Sequence, residues 1–251
     1  MKITIRGCEP IIISDELLQA EAGQFGADTP YVAKVVTRIN NRSYREGKLP
    51  LKLMCLRALR DRARTLGTIR TYGEPLAGIG LAARLFNAPE MWLNDLDEGC
   101  RDVLVDNFAA SISDKDADVL HPGPTDLIFA DFNNFTLAKY RKEGSPALDN
   151  TFKAATKFVI LNDCSVYHFR YGVKAYQNYS KLLGTKVTSF KTYAQAAAKG
   201  WKKTYPEWTL VHTAAFRDSS FHLFYKGDAP FEYVFFDKPE PLVSLGRGFL
   251  S

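Results

Sequence analysis

From Thr71 onward, short apolar runs alternate with stretches whose apolar positions recur every three or four residues. Runs of the first kind read as buried strands and those of the second as amphipathic helices. Thr71–Ala77 reads as a strand, followed by a glycine-containing turn and a helix through Phe86. Met91–Asp95 is a second strand, and Glu98–Ala110 a helix with Cys100, Val103, Leu104 and Phe108 turned inward. A weak third strand lies near Val119. Thr125–Asp131 and Lys157–Asp163 are near-continuous apolar runs ending in an acid, the pattern of strands covered on both faces. Trp208–Phe216 and Phe221–Tyr225 are strands joined by Arg217-Asp218-Ser219-Ser220, so the sheet finishes on an antiparallel pair. Glu232–Phe236 reads as one more edge strand or as a packed tail.

Strands alternating with helices predict an α/β fold with a mostly parallel sheet. Residues 1–70 read as a basic, mainly helical N-terminal extension, residues 71–226 as the main domain, and 227–251 as a C-terminal tail. The extension begins with a strand at Lys2–Arg6, an apolar run at Ile11–Ile13 and a short helix from Asp15. Pro50, at the first-turn position it favours, opens a helix in which Leu53, Leu56 and Leu59 share one face and Arg57, Arg60 and Arg64 another. That arginine face reads equally as a solvated side or as a nucleic-acid contact.

Composition narrows the class. At 46% hydrophobic and 24% charged residues the chain is globular rather than disordered or fibrous. It has no apolar run near the roughly 20 residues that span a bilayer, and no signal-peptide core at its start. Cys8, Cys55, Cys100 and Cys164 are widely spaced, which predicts reduced thiols and a cytoplasmic protein. No metal site is expected, because His121, His168, His212 and His222 lack ligand spacing. The net charge of +5 hides a segregation. Lys34–Arg70 carries 11 basic and 2 acidic residues, and Cys164–Pro206 carries 8 basic and no acidic ones. The remainder is strongly acidic. Two basic segments on an acidic body point to a polyanionic partner. The segment 164–206 also interleaves Tyr167, His168, Phe169, Tyr171, Tyr176, Tyr179, Phe190, Tyr193, Trp201 and Tyr205. Cations for phosphates beside aromatic faces for bases suit nucleic acid, although Tyr176 and Tyr179 at i, i+3 also fit a helix core.

Three strand-end features follow in an order that suits an adenosine-containing cofactor. Glu74-Pro75-Leu76-Ala77-Gly78-Ile79-Gly80 joins the first strand to a helix, where glycine lets backbone approach a ligand. Asn94-Asp95-Leu96-Asp97 ends the second strand about 20 residues on, where a carboxylate accepts from ribose hydroxyls. Asp131-Phe132-Asn133-Asn134-Phe135 ends the later strand.

With these residues the chain resembles the class I S-adenosylmethionine-dependent methyltransferases over Thr71–Tyr225. The resemblance implies a Rossmann-like seven-stranded sheet with an antiparallel last strand, which dehydrogenases lack. It implies a cofactor site of Glu74, Ala77, Gly78, Gly80 and Asp95, with Leu96 against the adenine and Asp118 or Asp116 reaching its amino group. Leu76–Gly80 with Asn107-Phe108 is similar to DNA methyltransferases. The cytosine-5 nucleophilic cysteine is absent, and the Asp-Pro-Pro-Tyr of amino methyltransferases is reduced to Asp131-Phe132-Asn133-Asn134. Asp131 or Asn133 then accepts from an exocyclic amine and Phe132 or Phe135 stacks on the base. The expected activity is methyl transfer to nucleic acid, DNA ahead of RNA, at a base amino group. The departure from the motif leaves a second reading, a non-catalytic subunit that binds nucleic acid or a partner methyltransferase; a homodimer is also compatible.

Overall fold

The computed structural model describes residues 1–14, 17, 31–120, 122–132, 136–163, 173–217 and 219–246. Among these residues, β1 (Lys2–Ile5) and β2 (Ile11–Ile12) pair antiparallel at the start of the chain. The main sheet contains eight strands: β3 (Thr71–Glu74), β4 (Glu90–Asn94), β5 (Ser111–Ser113), β6 (Thr125–Ala130), β7 (Ala155–Asp163), β8 (Thr209–Phe216), β9 (Ser219–Tyr225) and β10 (Glu232–Phe236). Their order is β10-β8-β9-β7-β6-β3-β4-β5. Only β9 runs against its neighbours, β7 and β8; the other pairs are parallel. A last strand, β11 (Val243–Gly246), returns to pair with β1.

The helices are α1 (Tyr31–Asn40), α2 (Leu49–Leu66), α3 (Leu81–Phe86), α4 (Glu98–Asn107), α5 (Leu137–Glu143), α6 (Pro146–Ala154), α7 (Val173–Leu183) and α8 (Phe190–Thr204). They divide cleanly between the two faces of the sheet. Val36 and Ile39 of α1, Leu53, Leu56 and Leu59 of α2, and Leu104 of α4 share a core with Leu127, Phe129, Phe158 and Ile160. Leu148 and Phe152 of α6 and Tyr193, Ala197 and Trp201 of α8 share the opposite core with Ile128, Ala130, Val159 and Leu161. Successive residues of β6 and β7 thus go to alternate faces, and both faces are dry. This is why those strands read as unbroken apolar runs.

The mostly parallel sheet with one reversed strand is the architecture expected from the sequence, with β10 added beside β8. Of the two readings of Glu232–Phe236, the edge strand holds, and residues 227–246 supply a strand to each sheet. The N-terminal segment, expected as an extension, is the cover of one sheet face through α1 and α2. Helix α1 itself was not predicted. The third strand is not at Val119, which is 64% exposed in a turn, but at Ser111–Ser113 beside β4. That strand is too short and polar to produce a periodic signal. The helix expected from Asp15 lies outside the described residues. No described helix is long and apolar enough to cross a membrane.

Strand order reverses at β3, with β4 and β5 on one side and β6 and β7 on the other. Carboxyl-end loops of such a sheet diverge at that point and leave a crevice. Pairing of Tyr72 with Leu127 and Gly73 with Ile128 brings the ends of β3 and β6 together there.

Candidate active site

On one side of the crevice, buried Asn94 at the end of β4 ties three loops together. Its Nδ2 donates to Pro75 O and Lys115 O, both at 2.8 Å, and its Oδ1 accepts from the Ser113 hydroxyl at 2.6 Å. Its carbonyl accepts from the Ala77 amide at 2.9 Å. Asp95 then meets the glycine turn: Gly78 N donates to its Oδ2 at 2.8 Å and Asp97 N to its Oδ1 at 3.0 Å. Burial raises the Asp95 carboxyl above its ordinary range, with these two amides pulling the other way.

The two glycines serve different purposes. Both have positive φ, +54° at Gly78 and +77° at Gly80. A Cβ at Gly80 would stand 2.5 Å from the Phe108 ring, so that position is set by packing onto α4. A Cβ at Gly78 would meet nothing within 4 Å, so the turn opens onto free space beside Asp95. Leu96, 56% exposed, borders the same opening in sequence, whereas Ala77 is buried. Asp118 is committed elsewhere: its Oδ1 accepts from Ala147 N at 3.3 Å at the start of α6, and it has no bond to the turn or to Asp95.

Asp131 follows β6 on the other side. Asn162 Nδ2, near the end of β7, donates to its Oδ1, and Lys52 Nζ, from α2, donates to its Oδ2. Burial alone would push this carboxyl up, but the Lys52 ammonium and the Asn162 bond hold it below its ordinary value. The other side-chain oxygen, Asn162 Oδ1, is buried without a hydrogen-bond partner among the described residues. Between the two sides stands Glu74, 4% exposed, which accepts from the Tyr72 hydroxyl at 2.9 Å. Burial raises it well above the usual carboxylate range, and both Asp131 and Asp95 add to that shift. Glu74 thus feels both halves of the crevice.

The structure therefore places Glu74, Gly78, Asp95 and Asp131 at or just after the carboxyl ends of β3, β4 and β6, neighbours in the sheet, with Asp118 bonded instead at the start of α6. Phe132 is 8% exposed and packs in the core of α6 and α8, so its ring is not offered to a base as the sequence reading had it. Asn133 and Phe135 lie outside the described residues. Lys52 and Asn162 were missed. Asn162 stands at a strand end, a position that could have flagged it, but Lys52 is joined to Asp131 only by helix packing.

The aromatic segment also needs correction. Tyr179, Tyr193, Trp201 and Tyr205 are all at most 6% exposed. Tyr193 Oη and Trp201 Nε1 each donate to Asp163 at 2.7 Å, and Tyr205 stacks on Phe152 with centroids 3.6 Å apart. They are core and cannot stack on bases. Tyr167, His168, Phe169 and Tyr171, and the side chain of Tyr176, lie outside the described residues.

Comparison with known proteins agrees with this topology. The chain is similar to an rRNA methylase from Escherichia coli with a TM-score of 0.50 at 14% identity, covering 86% of this chain and 78% of that one. It is also similar to an S-adenosylmethionine-dependent methyltransferase from Clostridium acetobutylicum, with a TM-score of 0.49 at 9% identity over 70% of this chain and 92% of that one. No protein-family model and no curated protein sequence matches the chain. The sheet order with its single reversed strand, together with the first of these likenesses, defines the fold as that of the class I methyltransferases.

Proposed function

We propose that the protein transfers a methyl group from S-adenosylmethionine to an exocyclic amine of a nucleic-acid base. The observation that carries this reading is the placement of the Gly78–Asp95 turn and the Asp131–Asn162 pair on either side of the point where the strand order reverses.

The residues present suit the cofactor. Each Asp95 oxygen takes one backbone N–H and keeps a lone pair for a ribose hydroxyl. The space beside Gly78 admits a ligand against the backbone, and Leu96 offers an apolar surface to a flat base. S-adenosylmethionine brings a methyl group already activated by its sulfonium, so the protein needs chiefly to position and to exclude water. On the acceptor side, the partly exposed Asp131 carboxylate presents an oxygen that accepts an N–H bond from the amine and aims its lone pair. Asp131 is a weak base because Lys52 holds it ionised, and a weak base is enough. An amine that has gained a methyl group is cationic and gives up its proton readily, to the carboxylate and then to water.

Calorimetry with S-adenosylmethionine, followed by labelled-methyl transfer to DNA and to RNA with digestion to nucleosides, tests the reading and separates the two acceptors. Micromolar binding that weakens at least tenfold in Asp95→Ala, with label in a nucleoside, supports it. Label in neither nucleic acid overturns it. The Lys52–Asp131 ion pair favours one other reading, a non-catalytic subunit, because it occupies a carboxylate oxygen. Absence of cofactor binding by a folded protein would support that reading instead.

A further inference from the structure

A groove of about 940 Å³ opens where α1, the π-helical turn Tyr44–Lys48, the start of α8 and the ends of β8 and β10 meet. Its walls include Tyr44, Phe235 and Phe236, and its lining carries Arg38, Lys48 and Lys191. Asp237 and Arg217 also line it, so cations exceed carboxylates by four to one. The Arg38 guanidinium and the Lys191 ammonium are paired with no carboxylate among the described residues. The inner wall adjoins the candidate active site: Lys48 and Leu51 line the groove, and Lys52, one helical turn after Lys48, holds Asp131. Lys48 comes from the first basic segment of the sequence and Lys191 from the second, so the fold brings the two segments to one cleft.

Resting on the methyl-transfer reading, we infer that this groove binds single-stranded nucleic acid and leads one unpaired nucleotide to Asp131. The chemistry matches on both counts. Arg38, Lys48 and Lys191 supply cations for phosphates, and the Tyr44, Phe235 and Phe236 rings supply faces on which unpaired bases stack. A duplex keeps its bases stacked and paired, so a single strand is the form that fits.

The test is fluorescence anisotropy of labelled single-stranded DNA, single-stranded RNA and duplex 12-mers across a salt series. The double variant Arg38→Glu/Lys191→Glu is compared with Lys202→Glu/Lys203→Glu, which makes the same charge change at the other end of α8, roughly 17 Å away along the helix axis. All four side chains stand on exposed helix positions, so the variants fold. The expected result is single strands binding more tightly than duplex, with a loss of at least tenfold in the groove variant and less than threefold in the control. The slope of log K against log salt should fall by about 1.4 in the groove variant, two phosphate contacts of a single strand. Tyr44→Leu should weaken binding severalfold with the salt slope unchanged. Equal losses in the groove and control variants, a preference for duplex, or no binding at low salt overturns the inference. Cofactor calorimetry on the same proteins separates this outcome from the first proposal. A groove variant that binds S-adenosylmethionine normally but not oligonucleotide leaves methyl transfer standing. Oligonucleotide binding in the groove without any cofactor binding removes methyl transfer and leaves the groove.

Discussion

Asp163, at the end of β7, is fully buried and accepts from Tyr193 Oη, Trp201 Nε1 and Leu137 N. Burial lifts its carboxyl to about 6, against the pull of those three donors. It binds a proton more readily folded than unfolded, so its contribution grows as pH falls from 7 toward 4 and is lost as pH rises through 6. His222 acts in the opposite sense. Burial lowers it to about 3, so the stability tied to its neutral form is present above pH 6.5 and lost as pH falls below that. Between pH 6 and 4 the two slopes, each about 1.4 kcal/mol per pH unit, nearly cancel. Asp163→Asn keeps two acceptor bonds, because the Tyr193 hydroxyl can turn and accept. Urea denaturation of that variant at pH 6, 5 and 4 should show the uncompensated histidine slope, a fall about 1.4 kcal/mol per unit steeper than in the parent. Asp163→Ala leaves three donors unpaired and should lose about 3 kcal/mol at pH 6, and more as pH falls, because it too lacks the proton-linked contribution. Lys52→Met strips the partly buried Asp131 of its cation, and a loss on the order of 2 kcal/mol in urea at pH 7 is expected. Since the pair holds Asp131 below its ordinary value, that stabilisation is present above the carboxylate range and fades only under strong acid.

Among the elements, the β3–α3 turn and the loop after β4 are built as one unit. Asp97 caps α4 through Cys100 N at 2.9 Å and also accepts from Tyr31 N at 2.6 Å and Val32 N at 3.2 Å, the first amides of α1. One carboxylate thus caps two helices and anchors α1 beside Asp95. Asp97→Ala should destabilise by about 2 kcal/mol, the upper end for a single cap, as measured by thermal melting. The glycines of the turn separate stability from binding. Gly80→Ala meets the Phe108 ring and adds left-handed strain, and should lose about 3 kcal/mol. Gly78→Ala meets nothing and should lose only about 1 kcal/mol, while calorimetry shows weaker S-adenosylmethionine binding because the methyl group intrudes on the ligand's space. Equal melting temperatures for the two variants would refute this division of roles.

Over the whole molecule, the alternation of apolar runs with amphipathic helices was enough to give the α/β class and the reversed strand, but not α1 or the position of β5. It also marked Glu74, Gly78, Asp95 and Asp131 as candidates at strand ends. Those inferences are local: a strand's period, a turn's glycine and an acid at a strand end are all read within a few residues. Tertiary structure alone decided which chemistry meets. Lys52 and Asp131 are 79 residues apart, and only the packing of Leu53, Leu56 and Leu59 onto the sheet sets one ammonium beside that carboxylate. The same holds for the aromatics of the second basic segment. Their spacing fits a helix whether its rings face bases or core, and burial of Tyr193 and Trp201 around Asp163 settles it. The sequence by itself thus determined the fold and the strand-end residues, because backbone periodicity is a short-range property. The pairing of Lys52 with Asp131, the joining of β10 to the sheet and the meeting of two basic segments in one groove were decided only in three dimensions, because each depends on surfaces that the chain brings together from far apart.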